Sequence, residues 1–256
     1  MKLKLFGWVW LMVAVLAIPT ISSAKGVGHV ANTIHNLSTS APLDQFGFVS
    51  QYKSDNESEI CIFCHTPHGG NTQGPLWNRS LPGAGSFTHY NSATISNYLQ
   101  GLSVTRAVND ESLLCLSCHD GTIAVNHVLN QNNVTGPPTI AGGDQPIVTD
   151  FFGVPNPAYI GTNLSDDHPI SFSYNSVRTE YEDVLSTRKG QLKDVATATN
   201  GGNGVRFFGG AQSRVECSSC HDPHVDYSAG SGQEAYAPFL IMPNTGSQLC
   251  LACHNK

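Results

Sequence analysis

The feature that most constrains this chain is a five-residue pattern that occurs four times, two cysteines separated by two residues with a histidine directly after. The copies read Cys61-Ile62-Phe63-Cys64-His65, Cys115-Leu116-Ser117-Cys118-His119, Cys217-Ser218-Ser219-Cys220-His221 and Cys250-Leu251-Ala252-Cys253-His254. All eight cysteines are used in these pairs, so none is left over for a structural disulfide. The pattern is the c-type haem attachment signature. Two thiols add to the vinyl groups on one edge of a porphyrin, and the histidine binds the iron from the proximal side. Zinc sites also use paired cysteines, but they do not require histidine at the next residue each time. A disulfide-redox centre needs one active pair rather than four. The expectation is therefore four covalently bound haem c groups, with iron ligated by His65, His119, His221 and His254.

Each iron needs a sixth ligand. Of the eleven histidines, His29, His35, His68, His89, His127, His168 and His224 remain. Met242 is the one methionine beyond the N-terminal apolar segment, and beside Pro243 it reads as a packing residue. Bis-histidine ligation throughout is the expectation, which favours low potentials and leaves no iron position open to substrate. His68 and His224 stand three residues after a proximal histidine in matching contexts, His65-Thr66-Pro67-His68 and His221-Asp222-Pro223-His224. The stiff proline prevents a return to the same iron, so each is expected at the iron of a neighbouring haem. His35 and His168 complete the distal set, and His127 is the reserve. The surplus His29, His89 and His127 are expected at the surface, where one is available to an iron of a second copy.

The start of the chain reads as an export signal covering residues 1–24. Lys2 and Lys4 precede an apolar run from Leu5 to Ile18, and Ser22-Ser23-Ala24 supplies small residues before the expected cleavage. The run is shorter than the ~20 residues of a spanning helix, and no second one follows, so no membrane anchor is expected in residues 25–256. These residues are expected to form a single four-haem domain. Only 12% of the chain is charged, and the formal net charge is −6. A basic nucleic-acid binder is excluded on that balance. With 40% hydrophobic residues, part of them in the export segment, the polypeptide has little to build a core from. Haem faces are expected to serve as that core, because each buries a large apolar area.

The intervals between motifs have no fixed period, so the chain is not a repeat array. Runs such as Gly136-Pro137-Pro138, Gly142-Gly143 and Asn200-Gly201-Gly202-Asn203-Gly204 signal loops. Helices are expected at Glu180–Leu185 and around Leu113–His119 and Ser247–His254, with strands at Ile147–Phe152 and Ile170–Tyr174. The expected fold class is mostly irregular coil with short helices and few short strands, wrapped around a chain of haems.

At these residues the chain resembles multihaem cytochromes with doubled haem motifs. The likeness is carried by Ile60 through His68, Leu114 through Thr122, Asp167-His168-Pro169-Ile170-Ser171-Phe172 and Cys217 through His224. Haem count, size and motif order are similar to those of the OmcE-like extracellular tetrahaem cytochromes of metal-respiring bacteria. That resemblance implies polymerisation into filaments with a continuous line of haems, one iron being ligated by a histidine of the next subunit. It also implies electron exchange with other redox proteins and with extracellular acceptors. Family members often carry histidine after Pro-Leu-Trp-Asn, where this chain has Arg79, so no ligand is carried over there. The expectation is a non-enzymatic electron carrier at the cell surface or outside the cell. The alternatives are a periplasmic shuttle of the same chemistry and a multihaem reductase with one open iron.

Overall fold

The computed structural model describes residues 29–43, 50–82, 87–141, 143–150 and 152–255; the expected export signal lies outside them. Regular structure is sparse because nearly every element is stopped within one or two turns. Helix α1 (Asn97–Gly101) starts where the Ser96 side chain accepts the Leu99 N–H, and Glu180 takes the Asn97 and Tyr98 N–H groups, both at 2.8 Å. Helix α2 (Asp110–His119) carries the second motif and stops just beyond it. Gly121 enforces that stop. It adopts φ +74°, and a Cβ there would stand 2.4 Å from the Tyr159 ring. Helix α3 (Tyr174–Glu182) and helix α4 (Val195–Thr199) are capped by Ser173 and Asp194. Helix α5 (Gln248–Cys253) carries the fourth motif. The first and third motifs lie instead on single 3₁₀ turns, Ile60–Phe63 and Cys217–Ser219.

Two small sheets brace these pieces. Strand β1 (Phe87–His89) pairs antiparallel with β2 (Thr105–Arg106) and parallel with β3 (Asn163–Leu164). Strand β4 (Phe172–Ser173) pairs antiparallel with β5 (Arg214–Val215). Buried apolar residues are divided among separate clusters rather than one core. Phe87, Val108, Leu116 and Leu164 fix the first sheet to α2, whereas Phe172, Tyr174, Val177, Leu192 and Val215 fix the second to α3. Met242 packs against a third cluster formed by Ala198, Val205 and Ile241. Among the described residues no helix is long and apolar enough to cross a membrane.

Three local expectations change. The helix expected at Glu180–Leu185 lies earlier, as α3, because Asp183 leaves helical geometry and Val184 and Leu185 project into solvent. The described part of Ile147–Phe152 is not a strand. It leads into a tight turn, in which Thr149 bridges Pro155 and the Asp150 carboxylate accepts the Phe152 and Val154 N–H groups. His89 is buried rather than superficial, since it sits in the central strand β1 with Nε2 against the Arg106 carbonyl.

Candidate metal centres

The local chain path decides how each motif histidine is presented. In the first motif His65 Nδ1 lies 3.0 Å from the Pro75 carbonyl; in the third, His221 Nδ1 lies 3.0 Å from the Pro238 carbonyl. In the second, His119 Nδ1 lies 2.7 Å from the Ala158 carbonyl. A carbonyl can only accept, so Nδ1 carries the hydrogen and Nε2 keeps its lone pair for a metal. Metal-binding histidines are held by this kind of outer hydrogen bond.

The Pro75 and Pro238 contacts belong to one recurring device. A downstream strap, Pro75-Leu76-Trp77-Asn78, lies along the first motif. His65 bridges Trp77, Thr66 N donates to the Leu76 carbonyl, and Asn78 N donates to the Cys64 carbonyl. Pro238-Phe239-Leu240-Ile241 repeats this at the third motif, with His221 bridging Leu240, Asp222 N on Phe239 O and Ile241 N on Cys220 O. Leu76 and Phe239 even share a left-handed backbone, at φ 55° and 57°. At the fourth motif Gln191-Leu192-Lys193 supplies the equivalent bonds, to Asn255, His254 and Cys253. Sequence reasoning missed the straps, although the two prolines with a large apolar residue after each were visible.

Two pairs of histidines face each other. His65 and His224 have ring centroids 6.3 Å apart with planes 13° from parallel. His35 and His119 have centroids 6.2 Å apart with planes at 87°. Metal–imidazole nitrogen bonds of about 2.0–2.1 Å, with each ring centre about 1.1 Å behind its nitrogen, put two rings ~6.3 Å apart across one six-coordinate ion. Both pairs fit that spacing. His224 Nδ1 is held 2.9 Å from Asp222, which pairs with Arg206 at 2.7 Å. This histidine keeps the carboxyl of Asp222 well below the usual range, against the effect of burial and with help from Arg206. His35 packs on Phe239 at 4.2 Å. Burial first, and the His119 imidazole second, push its pKa down to about 4, against a weaker pull from the Pro223 carbonyl. Both imidazoles of this pair are thereby held neutral, as ligation requires, because burial lowers His119 as well.

The motifs are neighbours in the order of the chain. Cys64 and Cys118 are close enough for their charges to interact, as are Cys220 and Cys253. Cys115 hydrogen-bonds Cys217, which holds the Cys115 thiol protonated. Glu216, buried beside the third motif, ties it to α2 by accepting from Ser112 Oγ at 2.7 Å and Asn109 Nδ2 at 2.8 Å. It also accepts from Ser171 Oγ and Arg214 Nε. Burial pushes the Cys64 and Cys220 thiols up to about 12 and Cys253 to about 11. Such neutral thiols are poor ligands for a bare ion but are the form that becomes a thioether.

Cys61, Cys250 and His68 lie at the surface, as does His168, whose Nδ1 contacts the Pro169 carbonyl at 2.9 Å. His127, also exposed, points Nε2 at Asp144, 2.8 Å away. Among the described residues no group of three or more His, Cys, Asp or Glu is placed to hold a bare ion. An iron already held by four porphyrin nitrogens asks the protein for two ligands only, the number in each histidine pair. Comparison with models of known protein families and with curated proteins finds no match for this chain.

Proposed function

We propose that this chain is an exported c-type cytochrome with four haems, which carries electrons and performs no bond chemistry. The observation that carries the reading is the pair of facing histidines, His65–His224 and His35–His119, at 6.3 Å and 6.2 Å. Each pair joins a motif histidine to one expected from sequence as a distal ligand. Bound haem supplies an iron that alternates between Fe(III) and Fe(II) by accepting and returning one electron. Cys61 and Cys64, Cys115 and Cys118, Cys217 and Cys220, and Cys250 and Cys253 would hold the four groups covalently. His65, His119, His221 and His254 would each supply one ligand to iron. His224 and His35 would supply the second at the first and second motifs, leaving no position there for water or substrate. His68 and His168 are proposed to do so at the third and fourth.

The neighbour order of the motifs supports a single electron path from first to fourth. The partners are redox proteins and extracellular acceptors, and copies of the chain join end to end into a filament. His127, exposed and surplus, is the reserve ligand for a second copy.

Haem content and electron paramagnetic resonance of the purified holoprotein test this. Four haems per chain and low-spin iron alone are expected. The parallel His65–His224 pair gives a rhombic signal, and the perpendicular His35–His119 pair a highly anisotropic one. A high-spin share near one quarter would overturn closed ligation at one centre. Electron microscopy of the secreted protein should show filaments, and finding only monomers would overturn the assembly.

A further inference from the structure

Arg79 is fully buried, yet among the described residues no carboxylate stands within ion-pair distance of it. Its guanidinium donates to four carbonyls: Ser117 at 3.1 Å, Ala124 at 2.9 Å, Val125 at 2.7 Å and His127 at 3.1 Å. Nε is buried with no partner at all. Carbonyl dipoles solvate the cation but do not cancel its charge, so its field extends into the surroundings. Those surroundings are two haem motifs. Arg79 follows directly on the strap that closes the first motif, and Ser117 lies between the two cysteines of the second.

The strap architecture does not need this charge. On the equivalent strap of the third motif the corresponding position is Met242, which packs against apolar neighbours. Asp120, directly after the second motif and also buried, has its carboxylate bonded by Thr122, and Glu216, which ties the third motif to α2, is bonded by Ser112, Asn109, Ser171 and Arg214. Both carboxylates are thus met by donors, whereas Arg79 is met by carbonyls alone, one of them Ser117, 3.1 Å away between the two cysteines of the second motif.

We propose that Arg79 is a potential-setting residue, a buried unpaired cation that holds up the reduction potentials of the haems at the first and second motifs relative to the other two. This rests on the four-haem reading. Adding an electron to an iron is favoured by a nearby positive charge. A unit charge about 10 Å away at an effective dielectric of about 20 changes a one-electron equilibrium by roughly tenfold. Electrons entering the chain therefore reside preferentially on the first two centres.

The test is a spectropotentiometric titration of the holoprotein with dithionite, a one-electron sulfoxy reductant, on wild type, Arg79→Met and Arg79→Lys. In Arg79→Met two of the four one-electron components move to lower potential by about tenfold in equilibrium constant, or 59 mV each. The other two stay in place, and Arg79→Lys retains most of the wild-type values. Movement of all four components, or of none, overturns the proposal. If Arg79→Met yields no holoprotein, Asp120→Asn must move one or two components the opposite way, by threefold or more, and no movement overturns it. Haem content separates the two levels of inference. Fewer than four haems on wild type sinks the four-haem reading, whereas four haems with unmoved potentials sinks only the role of Arg79.

Discussion

The straps at the first and third motifs follow the same path and make the same backbone bonds, but their side chains do opposite things. Pro75–Asn78 turns polar atoms inward. Buried Asn78 gives Nδ2 to the Ile62 carbonyl at 2.6 Å and exchanges bonds with the backbone of Asn130, and Arg79 follows. Pro238–Ile241 turns apolar atoms inward. Ile241 is fully buried, and Phe239 packs between His35 and Tyr227. Presenting a motif histidine therefore requires a backbone shape and a carbonyl, whereas the inward side chains set the electrical surroundings independently.

Phe239→Gly should give the largest effect. It keeps the left-handed backbone but removes an aromatic ring from the core, and the holoprotein should lose about 3 kcal/mol or more in guanidinium unfolding. The His35 face loses its packing too, so a high-spin fraction should appear at the second centre. A loss under 1 kcal/mol would break the view that this strap is an apolar wedge. Asn78→Ile, which installs the residue of the other strap, leaves the Ile62 carbonyl and the Asn130 backbone unpaired in the interior. About 2 kcal/mol should be lost in the same assay; no loss would mean that the two straps are interchangeable after all.

A third measurement separates the straps from the sheet beside them. Burial, reinforced by the Arg106 guanidinium, pushes His89 down to about 4. The fold binds the neutral ring, so its contribution is complete above the unfolded value near 6.5 and is lost as pH falls from there toward 4. Between pH 7 and pH 5.5 this amounts to about 1 kcal/mol, and His89→Gln should flatten that part of the stability profile. An unchanged profile would shift acid sensitivity to other groups. The smallest effect belongs to Leu76→Gly. Leu76 is 54% exposed and left-handed, so glycine relieves strain while losing little packing. A gain of about 0.5 kcal/mol is expected, opposite in sign to Phe239→Gly at the matching position.

What could be read from the sequence was what covalent chemistry dictates locally. The spacing expected for thioether attachment picks out the cysteines and motif histidines within five residues, and the helices of the second and fourth motifs follow from apolar residues around them. His35 and His224 emerged from counting ligands. The facing of His224 with His65 rather than with another motif histidine depends on how distant loops fold back, which no local pattern encodes. The straps are hidden for the same reason, since they lie at different distances from their motifs. His89 escapes a local reading because it shares the inward face of β1 with Phe87, two residues earlier, in a strand paired on both sides. Arg79 is visible as a departure from the pattern of the cytochromes the chain resembles, but its burial depends on carbonyls of α2 and of the loop after it, 38 to 48 residues along the chain.

The pairing of His65 with His224 bears on how such a protein is made. A chain exported amino end first delivers His35 before His119, so the second centre finds its partner waiting. His65 emerges early, yet its partner arrives only after the third motif has crossed. The first site begun is thus completed late. On the proposed four-haem reading, the first iron would have an open side until then, and the interval between crossing and final folding would be the period when that centre is most exposed to stray ligands and oxidants.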